Sequence, residues 1–203
     1  VRGRNLESCL EHLESAIRHS EETGFNPYLG LAWTCKGWTL WMQGDMEGSR
    51  DCGKKAIDIQ GDSIVSVMLS LSQLLLGAVS LDSGDPLNAR KSIEEALKLA
   101  HTSGEQYIEG RTLTWLGRAL GKADVSKLAA AEECILHGIS LLEQMKMKPW
   151  QAEGYLLAGE LYSEAGQPQK ALTNLKKARS MFQQMRMDYW LFRAQGTLDK
   201  LPR

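Results

Sequence analysis

β-Branched residues are scarce in this chain of 203 residues: 5 Val and 8 Ile stand against 30 Leu and 18 Ala. Residues that lose little rotamer freedom in a helix therefore dominate the apolar set, and an all-α fold is expected. Cysteine is also sparse, with four residues at 9, 35, 52 and 134 in no disulfide-framework spacing. That pattern, with no signal-peptide succession of charged, apolar and small residues, predicts reduced thiols in a cytoplasmic protein. Neither sign of charge is in excess, with 24 Lys and Arg against 25 Asp and Glu. Direct nucleic-acid binding, which needs a surplus of cations to neutralise phosphates, is not expected. Long apolar runs are missing except at 63–81, where 19 positions carry no charge. Five Ser and one Gln within it, acidic Asp62 and Asp82 at its ends and no flanking Lys or Arg argue against a membrane span. The chain opens Val1-Arg2-Gly3-Arg4 without an initiator Met, so it is expected to be a fragment of a longer protein.

Against these shortages stands one surplus, 19 Gly. Their spacing shows an internal repeat. Gly37, Gly77, Gly117 and Gly159 are separated by 40, 40 and 42 residues. Small residues recur in step at Gly30, Ser70, Gly110 and Ala152, at Ser49, Ala89, Ala131 and Ala171, and at Ala56, Ala96, Gly138 and Ala178. One period further back, Cys9 and Ala16 fall at the same small positions, where burial is expected. Each unit reads as two antiparallel helices. First helices are predicted at 26–43, 63–82, 106–122 and 149–165, and second helices at 46–60, 86–103, 126–146 and 168–186. Residues 5–22 read as an orphan second helix and 189–200 as a carboxy-terminal capping helix, so the domain comprises a half-repeat, repeats 26–60, 63–103, 106–146 and 149–186, and a cap. Pro86 and Pro168 fall at helix starts, Asp85 at an N-cap, and Gly24, Gly61 and Gly104 at left-handed C-caps. The third unit lacks the inter-helix glycine of the others, which predicts a local irregularity near 121–127. Four mid-helix glycines cost about 4 kcal/mol relative to Ala. Close approach of a neighbouring helix must offset that, and Gly117→Leu is expected to destabilise by overpacking.

These residues resemble the tetratricopeptide repeat. The carriers are Trp33, Gly37, Gly44-Asp45 and Ala56; Leu76-Gly77, Gly84-Asp85, Ala89 and Ala96; Leu116-Gly117 and Ala131; and Tyr155, Gly159, Tyr162, Gly166, Ala171 and Ala178. The resemblance covers the whole chain and implies a right-handed α-solenoid of about ten helices, with a period longer than the family's usual length of about 34 residues. The long period and the paired endings Met145-Lys-Met-Lys-Pro-Trp150 and Met185-Arg-Met-Asp-Tyr-Trp190 are similar to repeat regions of large bacterial signalling proteins. There the repeats follow an AAA-type ATPase and often a nucleotide cyclase, or belong to regulators with a DNA-binding tail.

No residue set points to catalysis. Cys9-x-x-His12 and Cys134-x-x-His137 each place a thiol and an imidazole on one helical face, but they lie on helices several repeats apart, so metal binding is not expected. No G-x-S-x-G turn or phosphate-binding Gly-rich loop occurs. No catalytic residue and no cofactor is therefore assigned. The resemblance implies a partner groove lined by the first helices: Trp38, Trp41 and Met42; Leu71, Leu74 and Leu75; Arg111, Trp115, Arg118 and Lys122; then Glu153 and Glu160. Trp38 and Trp41 are the expected anchors. A peptide, a helix, or another domain of the parent chain is the expected partner, with a homodimer through the apolar 63–81 helix also open. The alternative is a small-molecule sensor with its ligand near Arg111, Arg118 and Glu160. The family's paired Lys and Asn clamp for carboxylate tails is not reproduced.

Overall fold

The computed structural model describes residues 2–24, 28–61 and 68–202, with side chains from Leu6 onward. Two compact units divide the chain, Val1–Thr102 and Ser103–Arg203. The first holds α1 (Arg2–Thr23), α2 (Leu29–Gln43), α3 (Met46–Gly61), α4 (Leu69–Asp82) and α5 (Pro86–Thr102). The second holds α6 (Gln106–Ala123), α7 (Leu128–Gln144), α8 (Lys148–Glu164), α9 (Pro168–Gln184) and α10 (Asp188–Leu198). No strand occurs among the described residues. The helix starts expected at 26 and 63 lie outside them; every other expected end agrees within three residues.

Within each unit a helix packs chiefly on its sequence neighbours, α2 with α3 and α4 with α5 in the first, α6 with α7 and α8 with α9 in the second. The register follows the small-residue series. A Cβ on Gly117 would fall onto the Ala131 carbonyl oxygen and 3.1 Å from the Ile135 backbone nitrogen. On Gly138 it would fall onto the Gly110 carbonyl oxygen. Glycine at these two places lets α6 and α7 touch backbone to backbone, which a larger side chain on either helix would prevent.

Turns within the pairs use glycine at positive φ: Gly44 at 89°, Gly84 at 83° and Gly166 at 69°. Around Gly44 the closure is a double backbone bond, with the Gly44 N–H donating to the Trp41 carbonyl and the Asp45 N–H to the Leu40 carbonyl, both at 3.0 Å. Asp45 and Asp85 then cap the second helices, accepting from the N–H groups of Gly48 at 2.9 Å and Asn88 at 3.1 Å. The third turn has no glycine. Asp124 adopts an extended conformation instead, its carboxylate accepts the Ser126 N–H at 2.9 Å, and a short 3₁₀ turn, Val125–Lys127, leads into α7. The irregularity expected at 121–127 has this as its cause.

One expectation about helix ends needs correction. Gly24 and Gly104 are left-handed, with φ of 68° and 69°, but Gly61 belongs to the helical last turn of α3. Lys146 and Arg186 take the left-handed position instead at φ of 58° and 57°. They make the same double closure as the glycine turns. The Met147 N–H donates to the Leu142 carbonyl at 2.8 Å, and the Met187 N–H to that of Phe182 at 3.0 Å. Both residues are in step with Gly104, by 42 and then 40 residues. A side chain in this conformation costs about 1–2 kcal/mol, so the closure is imposed by the flanking helices.

Candidate functional site

The positions expected to line a groove recur once per first helix. One stripe reads Leu31, Leu71, Arg111, Glu153, Arg193 and the next Trp38, Ala78, Arg118, Glu160, Lys200, each stepping by 40, 40, 42 and 40. Apolar residues hold both stripes in unit 1, and charges hold them in unit 2.

In unit 1, Trp38 and Trp41 stand edge to face with ring centroids 5.4 Å apart. Both are buried, as are Leu71, Leu74 and Leu75; Leu31 and Met42 are half-buried. A Cβ on Gly37 would run into the end of Leu75, so α4 seats this leucine over the glycine of α2. Beneath lies a polar pin. The Thr34 hydroxyl is 2.6 Å from that of Ser72, the Ser72 hydroxyl donates to Gln60 Oε1 at 2.6 Å, and all three side chains are buried. The pin joins α2, α4 and α3. The 63–81 segment is described from residue 68 onward, and there Leu71, Leu74, Leu75, Val79 and Leu81 are all buried within the chain. Leu69 and Leu76 of α4 are half-buried.

In unit 2 the charges close on one another. Arg111 binds Glu153 through two bonds, Nε to Oε2 at 2.7 Å and Nη2 to Oε1 at 3.0 Å, and Trp115 Nε1 donates to the same Oε1 at 3.0 Å. Both charged side chains are nearly inaccessible, at 7% and 2% exposure. Trp150 covers the guanidinium, 5.4 Å from its ring centroid, and stacks on Tyr107 at 5.2 Å. One turn along, Arg118 reaches Glu160 at 3.4 Å and holds Glu164 through two nitrogens. Arg193 of α10 grips Glu160 from the other side at 2.8 and 3.1 Å. Burial pushes the Glu160 carboxyl up, but the combined attraction of Arg193 and Arg118 outweighs it and leaves the group below the ordinary carboxylate range. Lys122 is exposed at the end of α6. A ligand near Arg111, Arg118 and Glu160 would have to displace these bonds.

Outside the stripes, Glu132 of α7 accepts the Tyr162 hydroxyl at 2.7 Å and Lys170 of α9 at 3.0 Å. The Tyr162 bond, more than Lys170, lowers the Glu132 pKa, while burial and Glu132 raise that of the phenol. In unit 1 the equivalent link between successive second helices is Lys55 with Glu21, 3.5 Å apart. Trp33 lies under Lys55, 3.8 Å from ring centroid to Nζ. Burial pushes the Cys35, Cys52 and Cys134 thiols up, which disfavours the thiolate. Cys9, expected at a buried small position, is exposed, and so is Ala16. Their counterparts Ser49, Ala56, Ala89, Ala96, Ala131, Ala171 and Ala178 are fully buried against a first helix of their own, which α1 does not have among the described residues. No group of three or more potential metal ligands comes together among the described residues. Nor is any described helix long and apolar enough to cross a membrane.

An all-α chain of antiparallel helix pairs, glycine-spaced and closed by repeated caps, has a TPR-like fold. Solved structures place it there. It matches BtubC (BKLC) from P. vanneervenii at 15% identity and a TM-score of 0.63, over 98% of this chain and 86% of that one. It also matches a kinesin light chain structure from Podosopora anserina with nearly identical TPR-like repeats, at 14% identity and a TM-score of 0.58 over 92% and 91%. No family model and no curated protein matches the sequence.

Proposed function

We propose that this chain is a non-catalytic interaction module of a longer protein, a single repeat domain that holds a peptide, a helix or a neighbouring domain against the apolar first-helix stripe of unit 1. The observation that carries the reading is the contrast at matched positions. In unit 2 the Arg and Glu side chains satisfy one another, whereas unit 1 offers half-buried Leu31 and Met42 beside the Trp38–Trp41 pair. Half-buried apolar side chains beside a packed aromatic pair suit the hydrophobic face of an amphipathic helix. The signalling context of similar long-period repeats makes a regulatory role within the parent chain, relaying contacts to catalytic or DNA-binding parts, the natural setting.

Trp38 and Trp41 are 6% and 1% exposed, so truncating either would remove core, and the test belongs at the accessible rim. A panel of amphipathic helical peptides is titrated while Trp fluorescence is followed. Saturable binding is expected for at least one apolar-faced peptide, and Leu31→Glu with Met42→Glu should weaken it at least tenfold without loss of helical circular dichroism. Unchanged affinity in that variant would abandon the unit 1 stripe as the binding face.

A further inference from the structure

We propose that the end of unit 2 where second helices turn into first helices is a docking edge for an acidic segment of a partner protein that also carries bulky apolar residues. The α7–α8 and α9–α10 turns lie at that one end, because the helices run antiparallel, and the start of α6 lies at the same end. Both turns close on a cation. Lys146 and Arg186 hold left-handed backbone at φ of 58° and 57°, where Gly104 in the preceding turn holds it without a Cβ. A conformation that glycine adopts at less cost is thus filled twice by a long cationic side chain, one period apart, and such backbone outliers concentrate at functional sites. Lys148, the first residue of α8, adds a third cation. All three are exposed, and none makes an ion pair or a side-chain hydrogen bond among the described residues.

The charge of this edge selects its occupant. Residues 145–150 and 185–190 carry Lys146, Lys148 and Arg186 against Asp188 alone, so carboxylates are the complementary groups. Apolar surface lies beside the cations. Tyr107 stacks on Trp150 with ring centroids 5.2 Å apart and planes 12° apart, and both residues are half-buried. Met147 and Met187, which follow the two left-handed cations, are half-buried as well. Flat rings and unbranched thioethers adapt to apolar side chains of varied shape, which free carboxylates alone would leave uncovered. Glu105 stands near Tyr107, its charge adding to burial in raising the phenol's pKa. The carboxylates of the segment are therefore directed away from α6 toward the two cationic turns, and an apolar residue onto the Tyr107–Trp150 pair. This surface is separate from the apolar stripe of unit 1.

A fluorescein-labelled peptide of alternating Glu and Leu is titrated with the 203-residue chain in low salt while anisotropy is followed. Saturable binding is expected, and it should weaken at least tenfold in high salt, or when Gln replaces Glu or Ser replaces Leu in the peptide. Lys146→Gly with Arg186→Gly should also weaken it at least tenfold, while the melting temperature stays level or rises because glycine suits the left-handed turns. A purely structural role for the two side chains would leave affinity unchanged. Leu31→Glu with Met42→Glu in unit 1 should not alter binding of this peptide, so the two surfaces fail or stand separately. Absence of saturable binding in low salt would overturn the proposal. So would full affinity in the double glycine variant, loss of affinity in the unit 1 variant, or tighter binding of a labelled oligothymidylate strand than of the peptide, which would make the edge a nucleic-acid surface instead.

Discussion

At matched positions the two units bury different chemistry under the same backbone. Unit 1 places Leu31, Leu71, Trp38 and Ala78 along its first helices and adds one neutral pin of Thr34, Ser72 and Gln60. Unit 2 uses the same sites for Arg111, Glu153, Arg118, Glu160 and Arg193, with nearly every charge bonded at both ends. The repeat evidently fixes where helices cross, through Gly117 on Ala131 and Gly138 on Gly110, and leaves the stripe free to vary. The half whose buried Arg and Glu side chains pair with one another has less to offer a partner there. The apolar half depends less on any one bond and tolerates substitution at its rim.

The sharpest way to break this contrast is Glu153→Ala. It strands the buried Arg111 guanidinium and should cost about 3–5 kcal/mol, read as a fall in denaturation midpoint. Arg111→Met with Glu153→Leu should recover part of that loss, because an apolar pair of similar volume avoids desolvation, although Trp115 Nε1 loses its Glu153 acceptor. If the double variant is as unstable as the single one, the stripe is not exchangeable between units.

Gly117→Ala is expected to cost about 1–3 kcal/mol by overpacking against backbone on two sides. Gly77→Ala in unit 1 should cost less, since its Cβ would meet chiefly the side chain of Ile93, with the Ala89 carbonyl at 3.3 Å. Equal melting temperatures for the two would remove the distinction between backbone and side-chain contact.

Acidification should separate the units further. The folded pKa of Glu160 lies below its unfolded value, so its contribution is complete above about pH 4.3 and is lost as the pH falls through the folded value. The Thr34–Ser72–Gln60 pin does not titrate. Hydrogen exchange resolved by peptide should therefore show α8 and α10 losing protection before α2 and α4 as the pH falls. Thr34→Val should cost about 1 kcal/mol, because Ser72 keeps Gln60 as a partner. Lys170→Met should change stability by less than about 1 kcal/mol, since its pair with Glu132 is half exposed.

The glycine and alanine series made the helix pairs, their register and the odd turn at 121–127 legible in the sequence, because backbone approach admits few residue types. Lys146 and Arg186 were legible only through their step from Gly104, since no side-chain preference marks a left-handed closure that the flanking helices impose. The buried ion pairs left a signal in opposite charges one period apart, Arg111 with Glu153 and Arg118 with Glu160, but the groove assignment read them as partner-facing side chains. Cys9 and Ala16 obeyed the pattern without the burial, since small residues at those positions are covered only when a first helix is present. The Thr34–Ser72 contact joins side chains from different repeat positions, so no periodicity could reveal it.

The ion pairs of unit 2 also have a calorimetric signature. Exposing apolar surface raises the heat capacity of unfolding, whereas exposing polar surface lowers it. Releasing Arg111, Glu153, Arg118, Glu160 and Arg193 into water therefore adds polar surface where unit 1 would add leucine and tryptophan. The stripe of unit 2 should give a flatter stability curve, and it should hold together on cooling at temperatures where the apolar stripe of unit 1 has begun to weaken.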